Sequence, residues 1–272
     1  MMPVVVTGHP ALRGASLLLE GLFFGGVALV FAGGAGVPQS GFFAIFLAAA
    51  GLTGRFNKLL DQNRTEIYGT RRPTWRINGM TAFCVLMMFL GVATAHAIAA
   101  LWWGEARLHG AFGFALDADR LGDETLFTRR FSALGPTLFH NYLVLATFVA
   151  LAFVYRAYGA LLSLCWNASV WAIVLTLLVG RAAHASALPP AVFVPVAMLA
   201  VMPHLLIEAS SDVVGSLAGI FLSKAVMAYA PTDPAFRRVV RAVISLLGLA
   251  AAGIALGAVV EAALPAAVLS RL

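Results

Sequence analysis

Apolar residues in this chain fall in long blocks, at about 15–35, 39–56, 78–103, 137–159, 161–181, 188–207 and 242–268. Each block is close to the roughly 20 residues that a helix needs to cross a bilayer core. None alternates with period two, so the pattern predicts helices and not a barrel. The expected fold is all-α, a polytopic transmembrane bundle of about seven spanning helices. A further apolar block, about 209–229, follows Pro195 and Pro203 and begins at Glu208 and Asp212. It is expected to be a re-entrant or broken helix, a feature tolerated at membrane depth where the freed backbone is buried in protein.

Charge placement orients these helices. The connection RFNKLLDQNRTEIYGTRRPTWR carries Arg55, Lys58, Arg64, Arg71, Arg72 and Arg76 against Asp61 and Glu66. Short loops rich in Lys and Arg stay in the cytoplasm, which puts the N-terminus and loop 55–76 inside. Arg237, Arg238 and Arg241 also fall inside if 209–229 does not cross. The stretch EARLHGAFGFALDADRLGDETLFTRRF nearly balances its charges and would lie outside as short amphipathic helices on the membrane surface, with Trp102 and Trp103 marking the interface. Arg13 ahead of an apolar run imitates a secretory leader. Glu20 interrupts that run and a second apolar block follows at once, so the first block is read as a membrane helix.

Composition agrees with this reading. Apolar residues make up 61% of the 272 residues and charged ones 11%, against the roughly 25% charged of ordinary soluble domains. A formal charge of +6 invites a nucleic-acid reading, but the basic residues gather in two short connections, which is topology and not DNA binding. Cys84 and Cys165 sit in apolar blocks without ligand spacing.

The chemistry-bearing stretch is PHLLIEASSDVVGSLAGIFLSKA, from Pro203 to Ala225. His204, Glu208, Ser211, Asp212, Gly215 and Gly219 recur at steps of three and four and so share one helix face. Ionisable groups in hydrocarbon cost at least about 2.5–3.5 kcal/mol each, so Glu208 and Asp212 should face protein or a wet cavity. His204 and Asn167 are the expected partners of Glu208, and Gly215 with Gly219 forms a GxxxG pair that suits close helix packing. The competing reading is a polar stripe that only packs the bundle. Asn167, in LCWNAS, is expected to bond across helices, and Glu261 to sit near the outer end of the last helix with Pro265 a turn beyond. No HExxH, GxSxG or Walker-type loop is present. His96, His140, His184 and His204 lie on different segments, so no catalytic residue, metal site or cofactor is expected.

With those residues in place, the C-terminal half resembles the stage II sporulation protein M family of membrane proteins. His140–Asn141–Tyr142, Asn167, PHLLIEA and VVEAALP follow the family's order and approximate spacing. The resemblance maps the family's Pro-His-small-x-x-Glu onto Pro203, His204 and Glu208, its small-residue helix onto Gly215 and Gly219, and its closing Glu-Ala-x-x-Pro onto Glu261, Ala262 and Pro265. Leu205 stands where a small residue is usual, Ala209 replaces a Leu-Pro continuation, and Asp212 adds a charge. The match covers about half of the chain and divides it into a membrane region of its own, 1–136, and a family-like domain, 137–272.

What the resemblance implies is a scaffold in the cell (inner) membrane that positions partners such as cell-wall hydrolases. The residues themselves leave a permease or channel-like component using Glu208 and Asp212 open beside it, and an intramembrane hydrolase using His204 and Glu208 is less well supported. Expected partners are membrane lipid and other membrane or envelope proteins, with a homo-oligomer left open and no nucleic acid. A cysteine placed at Thr70, in a chain lacking Cys84 and Cys165, should resist an impermeant thiol reagent in intact cells. Efficient labelling there would overturn the topology.

Overall fold

The computed structural model describes residues 10–69, 73–116 and 134–269, with the side chains of 68 and 265–269 excepted. Among the described residues every regular element is a helix: α1 Pro10–Gly34, α2 Gly41–Gly69, α3 Thr74–Trp102, α4 Glu105–Leu116, α5 Leu134–Ala185, α6 Pro190–Ala228 and α7 Pro234–Leu269. Six of them, all but α4, are long and apolar enough to cross a membrane. Helix starts follow local chemistry. Pro190 and Pro234 occupy first positions where a missing N–H costs nothing. Asp233 caps α7, its Oδ1 accepting from the Ala235 N–H at 2.7 Å.

The expected blocks reappear with two corrections. Residues 55–69 are not a loop but the continuation of α2, because no helix breaker intervenes before Gly69 and Pro73. The connection between α2 and α3 is thereby reduced to residues 70–73, of which 70–72 lie outside the described residues. Blocks 137–159 and 161–181 appear as expected as two helical arms, taken together here as α5, that meet at Arg156, which has φ 54° and ψ −128°. A non-glycine residue in that region is strained by about 1–3 kcal/mol. Beyond the bend the chain reverses so tightly that a side chain at Gly159 would run into the Leu151 carbonyl. The arms 134–155 and 157–185 are therefore a hairpin.

The second correction is that blocks 188–207 and 209–229 are not separate. α6 runs unbroken for 39 residues through Pro195 and Pro203, about 58 Å at 1.5 Å per residue. Packing on both sides of Pro203 holds its direction. Phe193, Ala197 and Val201 lock onto Val179 and Ala183 of α5, while Val213, Leu217 and Ile220 enter the main core. Helix neighbours thus replace what the prolines remove.

α1 and α3 run parallel and touch through glycine: Gly14 lies by Phe83, Gly21 by Met88 and Gly91, Gly25 by Ala95, and Gly33 by Trp103. Glu20, the charge inside the first apolar block, is paired with Arg55 of α2 at 3.1 Å. Arg13 bonds Gln62, and Asn63 donates to Asn78 at 3.0 Å and Thr81 at 2.8 Å, so α1, α2 and α3 are stitched together at that end. At the other end Arg107 lies over Trp103 at 4.3 Å, and Arg181 pairs with Glu105.

α4 is a short helix with one buried face: Leu108, Phe112 and Leu116 are fully buried while Glu105, Arg107 and Gly110 are exposed, and the Gln39 N–H donates to the Gly110 carbonyl at 2.7 Å. The ring of Phe112 fits where Gly41 has no side chain. The rest of the expected outer segment, 117–133, lies outside the described residues. One apolar core takes residues from both chain halves, including Leu52, Met88, Phe112, Ala160 and Leu217.

Gly91→Val should be strongly destabilising, because its first side-chain carbon would already collide with the Leu18 carbonyl. A loss of about 1–3 kcal/mol is expected. Gly79→Val, with nothing within 4 Å of its added carbon, is the control. Thermal melting in detergent should separate the two variants, and equal midpoints would contradict the α1–α3 contact.

Candidate functional site

Three helices meet around the polar face of α6. The first arm of α5 brings His140 and Asn141, the second arm Asn167 and Trp171, α6 brings Glu208 and Asp212, and α7 brings Ile254. The Asn141 side-chain amide donates to Glu208 Oε1 at 2.6 Å, and that of Asn167 donates to Asp212 Oδ2 at 3.1 Å. Each carboxylate is held by an amide from a different arm of the hairpin. The bend at Arg156 makes that possible, for it lets one element approach α6 twice.

α7 makes room for these side chains by having none at the crossing. A side-chain carbon at Gly257 would come within 2.8 Å of Glu208 Cγ, and one at Gly253 would meet the Ser211 hydroxyl. Gly253 and Gly257 are themselves a GxxxG pair, four residues apart in GIALG. Further along the same face of α6, a carbon on Gly219 would lie 2.6 Å from the Val149 carbonyl, and Gly215 accepts Leu145. The α5 backbone thus approaches α6 closely, while the α7 glycines leave space for α6 side chains.

Between the helices lies a cavity of about 40 Å³, lined by His140, Asn141, Val144, Asn167, Trp171, Glu208, Asp212 and Ile254. It has room for one to a few water-sized groups. Its walls grade from open to closed: His140 is exposed and Asn141 half-buried, whereas Glu208 and Asp212 are 5% and 2% exposed. His140 and Asn141 therefore form the mouth and Asp212 the floor. Asp212 Oδ1 is buried with no hydrogen-bond partner.

The structure sorts the expected site residues. Glu208, Asp212 and Asn167 share the cavity, and Gly215 and Gly219 pack against α5. The partner expected for Glu208 is corrected: Asn141 fills that place, while Asn167 serves Asp212 one turn further on. The arms of α5 run in opposite directions past α6, so each amide reaches a different turn. His204 is buried on α6 but does not line the cavity, Pro203 is an interior residue of that helix, and Glu261 lies on α7 one turn beyond Gly257. The side chain of Pro265 is outside the described set.

Reading by residue type missed Trp171, Gly253, Gly257 and the role of Asn141. The HNY stretch and the GIALG spacing were the available signals. It also missed a second buried polar contact. His96 of α3 meets Ser169 of α5 through Nε2 at 2.9 Å, its Nδ1 lies 2.9 Å from the Val92 carbonyl, and the Phe112 ring stands edge-on beside it. Both residues are fully buried and neither lines the polar cavity, so this Ser–His pair joins α3 to α5 without access for a substrate. No group of three or more His, Cys, Asp or Glu placed to hold a metal occurs among the described residues. Comparison with family models, with curated proteins and with solved structures returns no match.

Double-mutant cycles test the pairing. Asn141/Glu208 and Asn167/Asp212 should each show a coupling of about 0.6–1.7 kcal/mol, the range found for hydrogen bonds between membrane helices. The crossed pair Asn141/Asp212 should couple more weakly than either. Unfolding in mixed micelles measures all three, and a stronger crossed coupling would contradict the geometry.

Proposed function

We propose that this chain is a multi-pass membrane protein of the cell (inner) membrane whose C-terminal helices form a permease-like site, with Glu208 and Asp212 as its charge-carrying groups. The observation that carries this reading is the pair of buried carboxylates near the middle of α6, bonded to Asn141 and Asn167 around a cavity open at one end. A bundle stabilised only by packing gains nothing from two acidic side chains without basic neighbours in its interior. Such groups in membrane helices characteristically mark ion and proton routes.

The proposed likeness to the stage II sporulation protein M family is compatible with the same site. Asn141, Asn167 and Glu208 come from three of its four motif pieces, and the fourth, carrying Glu261, lies one turn from the glycine over which Glu208 packs. The proposed topology has crossings by α1, α2, α3, both arms of α5, α6 and α7. The N-terminus and the Arg156 end are cytoplasmic and the C-terminus external. In support, Arg156 reaches Met227 near the end of α6, which gathers it with Arg237, Arg238 and Arg241 at one end of the bundle.

A scaffold reading has one feature in its favour. An open apolar groove of about 500 Å³ runs along α1 and α3, lined by Leu22, Phe23, Gly26, Val30, Ala95 and Ile98, and would take a helix of a partner membrane protein. Reconstitution separates the readings. Vesicles holding the protein and a trapped pH dye should dissipate an imposed proton gradient, and Glu208→Gln should slow this at least tenfold. Wild-type vesicles no faster than empty ones would sink the permease reading and leave the scaffold. A phosphatase fused after Leu272 should be active outside the cell, whereas fluorescence from a cytoplasm-only reporter there would refute the topology.

A further inference from the structure

The floor of the cavity lacks a positive group. Asp212 is 2% exposed, one of its oxygens accepts from Asn167, and the other is buried with no partner. A buried carboxylate oxygen left in that state is costly, and what would relieve it is a donor or a cation. No lysine or arginine lines the cavity. The titratable groups turned toward it are Glu208 and Asp212 of α6 and His140 of α5. His204 lies one turn along α6, and Glu261 of α7 lies one turn beyond the glycine that faces Glu208.

The available ligands are oxygens. Asn141 and Asn167 spend their amide nitrogens on the carboxylates, which leaves each with a neutral carbonyl oxygen on a side chain that lines the cavity. Carboxylate and amide oxygens without sulfur suit a hard cation. A space of about 40 Å³ excludes a metabolite. Mg²⁺ keeps several of its waters, and Ca²⁺ demands six to eight oxygens. No group of three acidic or metal-ligating side chains gathers among the described residues to supply them.

We propose that this cavity binds one alkali cation of about the size of Na⁺, through Asp212 and Glu208 with the asparagine carbonyl oxygens completing its shell, and releases one proton from the carboxylate pair as it does so. The charges balance. The empty site holds two neutral carboxyl groups, and the loaded site holds one carboxylate, one carboxyl and one monovalent cation, so both are neutral in hydrocarbon. The O–H bond of one carboxyl breaks, its electron pair stays on the carboxylate, and the proton leaves to water at the His140 mouth. This inference rests on the permease-like reading for its purpose, since cation and proton would then be exchanged across the membrane, but its binding chemistry is tested separately.

The test uses the full chain in lipid nanodiscs and a weakly buffered solution. Calorimetric titration with NaCl should show saturable uptake of one ion per chain, with a dye reporting about one proton released, while MgCl₂ should not compete. Asp212→Asn should weaken Na⁺ binding at least tenfold, and Asp212→Glu, which keeps the charge, should retain part of it. The wild-type titration decides even if a variant fails to fold: no saturable Na⁺ uptake, or uptake without proton release, overturns the proposal. Binding without vesicle flux would uphold it and overturn the permease reading, whereas flux indifferent to Na⁺ would do the reverse.

Discussion

The structure depends on keeping two carboxylates inside a bundle that has almost no polar solvent to offer them. Glu208 and Asp212 stand one turn apart on α6, and each is secured by an asparagine from a different arm of α5. Much of the surrounding architecture follows from that constraint. The hairpin must bend sharply at Arg156 to present both arms to α6, and α7 must carry glycine at 253 and 257 to leave space for the acidic face. Leaving either carboxylate unbonded would forfeit about 1–3 kcal/mol, a large share of a marginal stability.

Small residues do the complementary work. Gly21 and Gly91 bring α1 against α3, Gly219 brings α6 against α5, and Gly257 admits Glu208. In lipid the gain from burying apolar surface is small, so helices associate by close backbone approach and by hydrogen bonds. The Ser169–His96 contact and the Asn63 network between α2 and α3 follow the same logic away from the cavity. The N-terminal half is thus held to the C-terminal half by a buried polar contact as well as by a shared apolar core.

Block length and the absence of alternation were enough to read the helical class, because a bilayer imposes both on any chain that crosses it. Boundaries were less legible where helices outrun the hydrocarbon. α2 continues through Arg55 and Lys58, since a charged helix surface looks like a loop when only hydropathy is read. Proline misled at α6. Pro195 and Pro203 permit a break but do not compel one, and neighbouring helices decided it. The polar face of α6 was visible from spacing alone. Its partners were not, because Asn141 and Glu208 are 67 residues apart and only the α5 hairpin brings them together.

The most direct test of the central claim, that Glu208 and Asp212 form one amide-held site that trades a proton for a small cation, is an infrared difference spectrum of the reconstituted protein as NaCl is exchanged for a bulky organic cation. Na⁺ should remove a protonated-carboxyl band and add a carboxylate band, and both changes should vanish in Asp212→Asn. A wild-type spectrum that does not respond to Na⁺, or a response that survives in Asp212→Asn, would contradict the account.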